Sequence, residues 1–187
     1  RTGQVTSYVI NDDGALLKGV AWPNQRFTVG TGAEADCVTD NLTGLMWVKS
    51  PGSISRTWQG ALDYSNNLTL CGFTDWRLPN IEELTSLNII HDSARWLNTH
   101  GFANVQQGPY WSSDTSIDRT NYARVFYPSG LVYSYIKSNL IYVWPVRSGQ
   151  SGTYSSTAIS LPRTGQLSCY DSGGASISCT GTGQDGE

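Results

Sequence analysis

The chain predicts an α+β domain with two helices and a short antiparallel meander, flanked by β-rich connectors. Three observations carry that prediction. Two stretches show capped helical periodicity, a later run alternates as strands do, and all seven tryptophans fall between Val20 and Arg147. A chain of 187 residues has room for one such domain and for connectors at its ends. The expected organisation is an N-terminal connector strand over 1–19, a core over 20–147, a linker over 148–160 and a C-terminal connector hairpin over 161–187.

Val5 to Ile10 reads as the strand of the first connector, and Gly19 to Pro23 leads into the domain. Cys37 to Val48 turns at Asp40-Asn41 and again at Thr43-Gly44 before the apolar strand Leu45 to Val48. Thr57 is a good N-cap residue, and Trp58, Ala61, Leu62, Ser65 and Leu68 share one helical face. Asn80 caps a second helix. Pro79 precedes it, Glu83 is spaced for a capping box, and Ile81, Leu84 and Leu87 form the apolar stripe. These positions read as core and caps rather than chemistry.

Tyr122 to Tyr127 is a strand closed by Pro128-Ser-Gly130. In Leu131 to Ile136, Leu, Tyr and Tyr alternate with Val, Ser and Ile. After a turn at Lys137-Ser-Asn139, Leu140 to Val146 completes the meander, with Pro145 near its end where a missing N–H is tolerated. Ser148 to Ser160, rich in Gly, Ser and Thr, reads as the flexible linker.

The ends repeat each other. Arg1-Thr-Gly-Gln-x-x-x-Tyr8 returns as Arg163-Thr-Gly-Gln-x-x-x-Tyr170, and Asp12-Asp-Gly-Ala15 has a near echo in Gln184-Asp-Gly-Glu187. The repeated piece is short, polar and Gly-rich, so it reads as a joint between modules. A unit of a tandem array or filament is the expectation, with neighbouring copies of the same module as partners and the two ends ordered by contact with them.

Charged residues make up 14% of the chain, against about a quarter in ordinary domains, while neutral polar and aromatic residues are plentiful. That balance suits an extracellular β-rich domain. The net charge of −3 argues against a nucleic-acid partner, which needs many Lys and Arg contacts. No apolar run is long enough to span a membrane. Ser112 to Arg147 is the one net-basic stretch, with four basic residues against two acidic ones, so +2 within a chain of −3.

Cys169 and Cys179 flank a hairpin-like stretch with Gly173-Gly174 at its tip, within disulfide reach. Cys37 and Cys71 are then left to pair with each other. An even count in such a chain fits an oxidising compartment. A zinc site is the rival, but there is no Cys-x-x-Cys, and His91 and His100 are the only histidines. Nucleophile elbows, phosphate loops, helical zinc motifs and EF-hand loops are absent, and no cofactor is expected. Asp92 lies beside His91, but no nucleophile has a recognisable setting, so the chain does not read as an enzyme. Leu161-Pro-Arg-Thr-Gly165 matches a sorting pentapeptide, yet a Cys-bearing hairpin follows it where an apolar anchor and basic tail belong.

Several motifs, taken together, resemble one family. They are Asp40-Asn-Leu-Thr-Gly-Leu-Met-Trp47, Trp58-x-x-Ala61, Cys71-Gly-Phe-Thr-Asp-Trp-Arg-Leu-Pro-Asn80 with Glu83-Leu84, Tyr110-Trp-Ser-Ser113 and Tyr142-Val-Trp-Pro-Val-Arg147. In order and spacing they resemble the C-terminal domain of the Legionella collagen-like adhesin, over about Gly19 to Arg147. The resemblance implies a C-type-lectin-like fold related to that of formylglycine-generating enzymes. It also implies a secreted or surface location and adhesion to sulfated glycans. The calcium-chelating signatures of lectins and the paired catalytic cysteines of the enzymes are both missing. Trp47, Trp76 and Trp111 are expected in the core, and Asp75 is expected to pair with Arg77.

Recognition of glycans, anionic ones included, or of proteins is expected in the 110–142 region. Its Tyr, Trp, Asn, Ser and Arg content offers amphipathic contacts with adaptable hydrogen bonds. The candidate ligand-binding residues are Trp111, Asp114, Arg119, Asn121, Arg124, Tyr133, Lys137 and Tyr142. The alternative expectation is a purely structural fibre subunit whose connectors lock neighbours together, with no ligand of its own.

Overall fold

The computed structural model describes residues 6–18, 23–88, 93–148, 161 and 164–185. Its architecture is α+β, with a four-stranded sheet, a five-stranded sheet and a two-stranded terminal hairpin. The linker expected over 148–160 lies outside the described residues except for Ser148.

The four-stranded sheet is antiparallel. It is built from β1 (Phe27–Val29), β2 (Cys37–Asp40), β3 (Leu45–Val48) and β9 (Val146–Ser148). One tight turn joins β2 to β3. Gly44 sits there at φ 74°, a backbone conformation that favours glycine, and its N–H donates to Asp40 O at 2.7 Å. The five-stranded sheet has the order β4-β8-β5-β6-β7. These strands are β4 (Ser55–Arg56), β5 (Tyr110–Thr115), β6 (Tyr122–Phe126), β7 (Val132–Ile136) and β8 (Ile141–Tyr142).

Among the described residues the helices are α1 (Asp13–Leu16), α2 (Trp58–Asn66), α3 (Ile81–Ser86) and α4 (Ser93–Thr99). Both anticipated helices form with their anticipated caps. The Thr57 hydroxyl accepts Gly60 N, and Asn80 with Glu83 makes a complete capping box. Leu68 lies beyond the end of α2 and packs beside the Cys37–Cys71 bridge instead. Helices α1 and α4 were not anticipated.

Three packed clusters hold the domain together. The first is aromatic, with Trp144 edge-on to Trp47 at 5.7 Å and to Phe102 at 5.2 Å between ring centroids. In the second, Trp58, Ala61 and Leu62 of α2 lie against Trp111, Val125 and Ile141 of the five-stranded sheet. The third surrounds Cys37–Cys71 with Met46 and Trp76. Trp47, Trp76 and Trp111 are all buried, as expected.

Both disulfides form in the expected pairs, with Cα atoms 6.5 Å apart for Cys37–Cys71 and 5.1 Å for Cys169–Cys179. The first closes a loop of 34 residues and ties β2 to the segment before α3. Replacing Cys37 and Cys71 with alanine is therefore expected to lower unfolding free energy by about 2–4 kcal/mol. Urea unfolding measures this. An unchanged midpoint would mean that the bridge constrains nothing in the unfolded chain.

The structure corrects the sequence reading in four places. Residues 6–10 form no strand: Tyr8 N and Val9 N donate to the Asp12 carboxylate, which folds the segment into a turn leading to α1. The third meander strand splits. Ile141–Tyr142 joins the far side of the sheet between β4 and β5, and Val146–Ser148 joins β3 in the other sheet. β7 is left as a sheet edge. Asp75 does not pair with Arg77; it pairs with Arg147 at 2.7 Å, while Arg77 grips Glu83 at 2.6 and 2.7 Å. Lastly, the described C-terminal residues fold back on their own domain, where contact with a neighbouring copy was expected. They carry β10 (Cys169–Tyr170) and β11 (Ser176–Ile177) as a hairpin.

Candidate functional site

Each motif that carried the resemblance is spent on tying one element to another. Asp40 binds Arg26 through both carboxylate oxygens and accepts Leu42 N, so it closes the β2–β3 turn over a buried ion pair. Arg77 exchanges backbone hydrogen bonds with Val146 at 2.9 Å. Its guanidinium meets the same Glu83 Oε2 that receives Asn80 N, so strand β9 and the start of α3 are locked by one carboxylate. Ser113 N donates to Pro79 O, and Trp144 Nε1 donates to Val48 O. Arg147 lies 3.7 Å from the centroid of the Phe73 ring while gripping Asp75, which it holds below the usual carboxylate range. Asn41, one of two Asn-Leu-Thr sites, is likewise structural: its amide donates to Gln25 O and Thr28 Oγ1.

The eight candidate ligand residues do not share one surface. Trp111 is buried against α2 and donates to Arg56 O at 2.9 Å. Asp114 is buried and accepts Ile81 N at 2.7 Å, which caps the first turn of α3. Burial, with the Asp185 charge adding to it, raises the Asp114 carboxyl above its ordinary value. Lys137 is fully buried with its amine 3.8 Å from the Trp58 ring centroid. Tyr142 lies on β8, tilted against Tyr110 and separated from β7 by two intervening strands.

Four candidates remain accessible around β6, β7 and the loop before them. Arg119 is exposed and stacks over Tyr122 at 4.2 Å, Asn121 and Arg124 are half-buried, and Tyr133 on the edge strand is 51% exposed. Tyr133 meets Tyr127 edge-on, and Tyr127 shares a hydroxyl–hydroxyl bond with Tyr135 at 3.0 Å. Ile117, Leu131, Ile136 and Leu140 add exposed apolar side chains to the same stretch. Register puts Arg124 and Tyr133 on opposite faces of the sheet. Ala123 and Val125 face α2 with Tyr135 and Tyr133 opposite them, while Arg124 faces the other way opposite Ser134.

The terminal segment covers Lys137 and the end of β5. Thr115 N donates to Gln166 Oε1 at 2.8 Å, and Asn80 Nδ2 donates to Asp185 Oδ1 at 3.3 Å. Lys137 Nζ donates to Tyr170 O and Asp171 O at 3.2 and 3.1 Å. Burial pushes the Lys137 amine down to about 8, while Asp171 pulls the other way. A lysine depressed in the fold is charged more readily after unfolding. The unfolded chain then binds more protons between pH 8 and the ordinary lysine range, and stability rises with pH across that window. Urea midpoints at pH 7.5 and 9.5 check this, and Lys137→Met is expected to flatten the rise.

Sequence reasoning passed over a half-open cleft of about 530 Å³ lined by Arg26, Phe27, Trp96 and His100 among others. Trp96 and His100 stack at 3.8 Å one helical turn apart, and His100 Nδ1 lies 2.8 Å from Trp96 O. An aromatic pair at i, i+4 is a signal that was available. His91 and Asp92 lie outside the described residues. Among the described residues no three His, Cys, Asp or Glu side chains gather as a metal cluster, and no helix is long and apolar enough to cross a membrane.

Comparison with curated proteins gives no match. Residues 36–147 match the family model described as the Lcl C-terminal domain, and that stretch contains every motif interpreted above. Since the match spans more than half of the 187 residues, the chain belongs to the Lcl C-terminal domain family, the family of the terminal domain of the Legionella collagen-like adhesin.

Proposed function

We propose that this chain is a secreted or surface-displayed adhesion module with a C-type-lectin-like fold, binding glycans or proteins through the accessible part of the 110–142 region. One observation carries the reading. The family motifs are consumed by the scaffold, whereas Arg119 and Asn121 stay accessible in the loop before β6, and Arg124 and Tyr133 on β6 and β7. The Arg119 guanidinium over the Tyr122 ring suits an anionic glycan, because it offers charge, planar hydrogen bonding and a stacking face together. Family membership and two disulfides support the extracellular setting.

A glycan array followed by salt titration tests this. Binding to sulfated oligosaccharides is expected to fall steeply between low and physiological salt. Arg119→Ala with Arg124→Ala is expected to weaken it about tenfold, the loss of two charged contacts. Full, salt-insensitive binding by that variant would remove the proposed surface. The second reading, a fibre subunit without a ligand, is favoured by the echoed ends. It predicts assembly with no hit on any array.

A further inference from the structure

The outward side of the edge strand β7 can be worked out from its ladder. Tyr127 N donates to Leu131 O at 2.8 Å, and Lys137 N donates to Asn121 O at 3.0 Å. Bonded and non-bonded pairs alternate along an antiparallel ladder. Between those two bonded ends the register sets Val125 opposite Tyr133 and Ala123 opposite Tyr135, so these two tyrosines bond to β6. The backbone groups of Val132, Ser134 and Ile136 therefore point away from β6. Among the described residues no strand lies on that side, since β7 ends the order β4-β8-β5-β6-β7. Ile136 O accepts Asn139 N from the following turn and keeps a second lone pair.

Folded proteins blunt such an edge with charge, proline or a bulge. β7 has none of these. Its five residues carry no charge and no proline, and they pair with β6 without a shift in register. Apolar side chains stand beside the open backbone: Leu131 and Tyr133 are each 51% exposed, Ile136 37% and Leu140 69%. The sequence of the strand points to its partner. Val132-Tyr-Ser-Tyr-Ile136 reads nearly the same in both directions. Laid antiparallel against itself about Ser134, it sets Val132 opposite Ile136, Tyr133 opposite Tyr135 and Ser134 opposite Ser134. Those are β-branched, aromatic and hydroxyl pairs, the cross-strand matches that stabilise a sheet. The outward backbone groups fall into the same register, those of Ser134 meeting their own copy and those of Val132 meeting Ile136.

We propose that β7 is a dimerisation edge, pairing antiparallel with β7 of a second copy of this chain about a two-fold axis at Ser134. The exposed area suits a weak but specific pair. Taking about 200 Å² for a large side chain fully exposed, Leu131, Tyr133, Ile136 and Leu140 offer roughly 400 Å² per copy. Two copies together cover about 800 Å² of side chain, and the paired backbone brings the total near the roughly 1,000 Å² that a biological interface clears. No like charges meet along the strand, because it carries none. An isologous contact closes on itself, so it makes a dimer and not a filament. It rests on neither reading of the function above. Arg124 lies opposite Ser134 in the ladder, on the face away from Tyr133, so pairing presents it twice on one face of a continuous sheet.

Sedimentation equilibrium of the full chain is the test. Half-dimerisation is expected near about 100 μM, as an interface of that size allows. Ser134→Lys places like charges opposite each other at the axis and is expected to weaken dimerisation at least tenfold. Ser134→Pro removes only an outward N–H, which an edge strand tolerates, and is expected to weaken it as much. Both variants are expected to keep the circular dichroism and Tm of the unmodified monomer. Cross-linking reads the register and serves even where a variant does not fold. Ser134→Cys sets the introduced thiols on Cα atoms about 5.5 Å apart, within disulfide reach, so mild oxidation is expected to link the pair. Ser129→Cys, in the turn between β6 and β7, is expected to stay unlinked. A chain still monomeric at ten times the expected concentration overturns the proposal, and an edge met instead by a strand of a different protein gives that result. So do dimers that ignore both substitutions at Ser134, or that cross-link equally through Ser129→Cys.

Discussion

Asp40→Ala is expected to lower unfolding free energy by about 3–5 kcal/mol, with a loss in Tm of about 10 °C or more. Asp40 is fully buried and the Arg26 side chain is 4% exposed. The two form a bidentate pair at 3.0 and 3.2 Å, and Arg26 Nη2 also donates to Ser86 O at 2.7 Å. Removing the carboxylate leaves a guanidinium in the interior without its counter-charge, and Leu42 N without its acceptor. Arg26→Met combined with Asp40→Leu is expected to recover most of the loss, because the cost lies in the stranded charge more than in the bond itself. Urea unfolding of the two variants beside the unmodified chain decides the matter. A cost below about 1 kcal/mol for Asp40→Ala would mean that water reaches Arg26 once the carboxylate is gone.

The ion pairs of Arg147 with Asp75 and of Arg77 with Glu83 rank lower for a physical reason. Asp75 is 58% exposed, so its pair with Arg147 is screened by solvent and worth little by itself. Arg77 is 37% exposed, although its partner Glu83 is buried and also caps α3. The acidic residue that matters most is thus the one whose place in Asp40-Asn-Leu-Thr-Gly44 marks it, on sequence, as a turn residue.

What was legible follows the range of the interaction. Thr57 and Asn80 were readable as caps because a cap is decided within four residues, and Cys169–Cys179 because its hairpin is local. The split of Leu140–Val146 was not readable. Alternation reports that a segment is extended, but it carries no information on which strand lies beside it. Val143 and Trp144 turn into the core between two different sheets. The pairing of Asp75 failed for the same reason: Arg77 is nearer along the chain, while Arg147 is nearer in space. At the site, Lys137 and Asp114 carried the polarity expected of ligand contacts. Nothing local shows that an aromatic ring and a terminal segment cover one, or that the other caps a helix. For Arg119 and Tyr133 it is the exposure alone that the structure bears out, at a turn and on an edge strand.

Trp58→Ala is the second large effect, with an expected cost of about 3–5 kcal/mol from the cavity and the lost contacts. Trp58 opens α2, is fully buried, and contacts both the five-stranded sheet and the amine that holds the terminal segment. Its Nε1 donates to Ser112 O at 2.8 Å, which fixes β5 beneath the helix. Its ring faces the Lys137 amine, the group that donates to Tyr170 O and Asp171 O of the terminal segment. Truncation therefore does two things. It opens a void in the cluster under the five-stranded sheet, and it removes the ring face that keeps a buried amine tolerable. Trp58→Phe keeps much of the volume and the ring face but strands Ser112 O, so its cost is expected to be about half as large. The distinguishing readout is the terminal segment. In Trp58→Ala the Tyr170 amide is expected to exchange at least tenfold faster than global unfolding alone predicts, whereas in Trp58→Phe it is expected to follow global stability. If both variants release the segment equally, the bond to the Ser112 carbonyl is what keeps the segment in place. If neither does, Lys137 holds the segment without help from the ring.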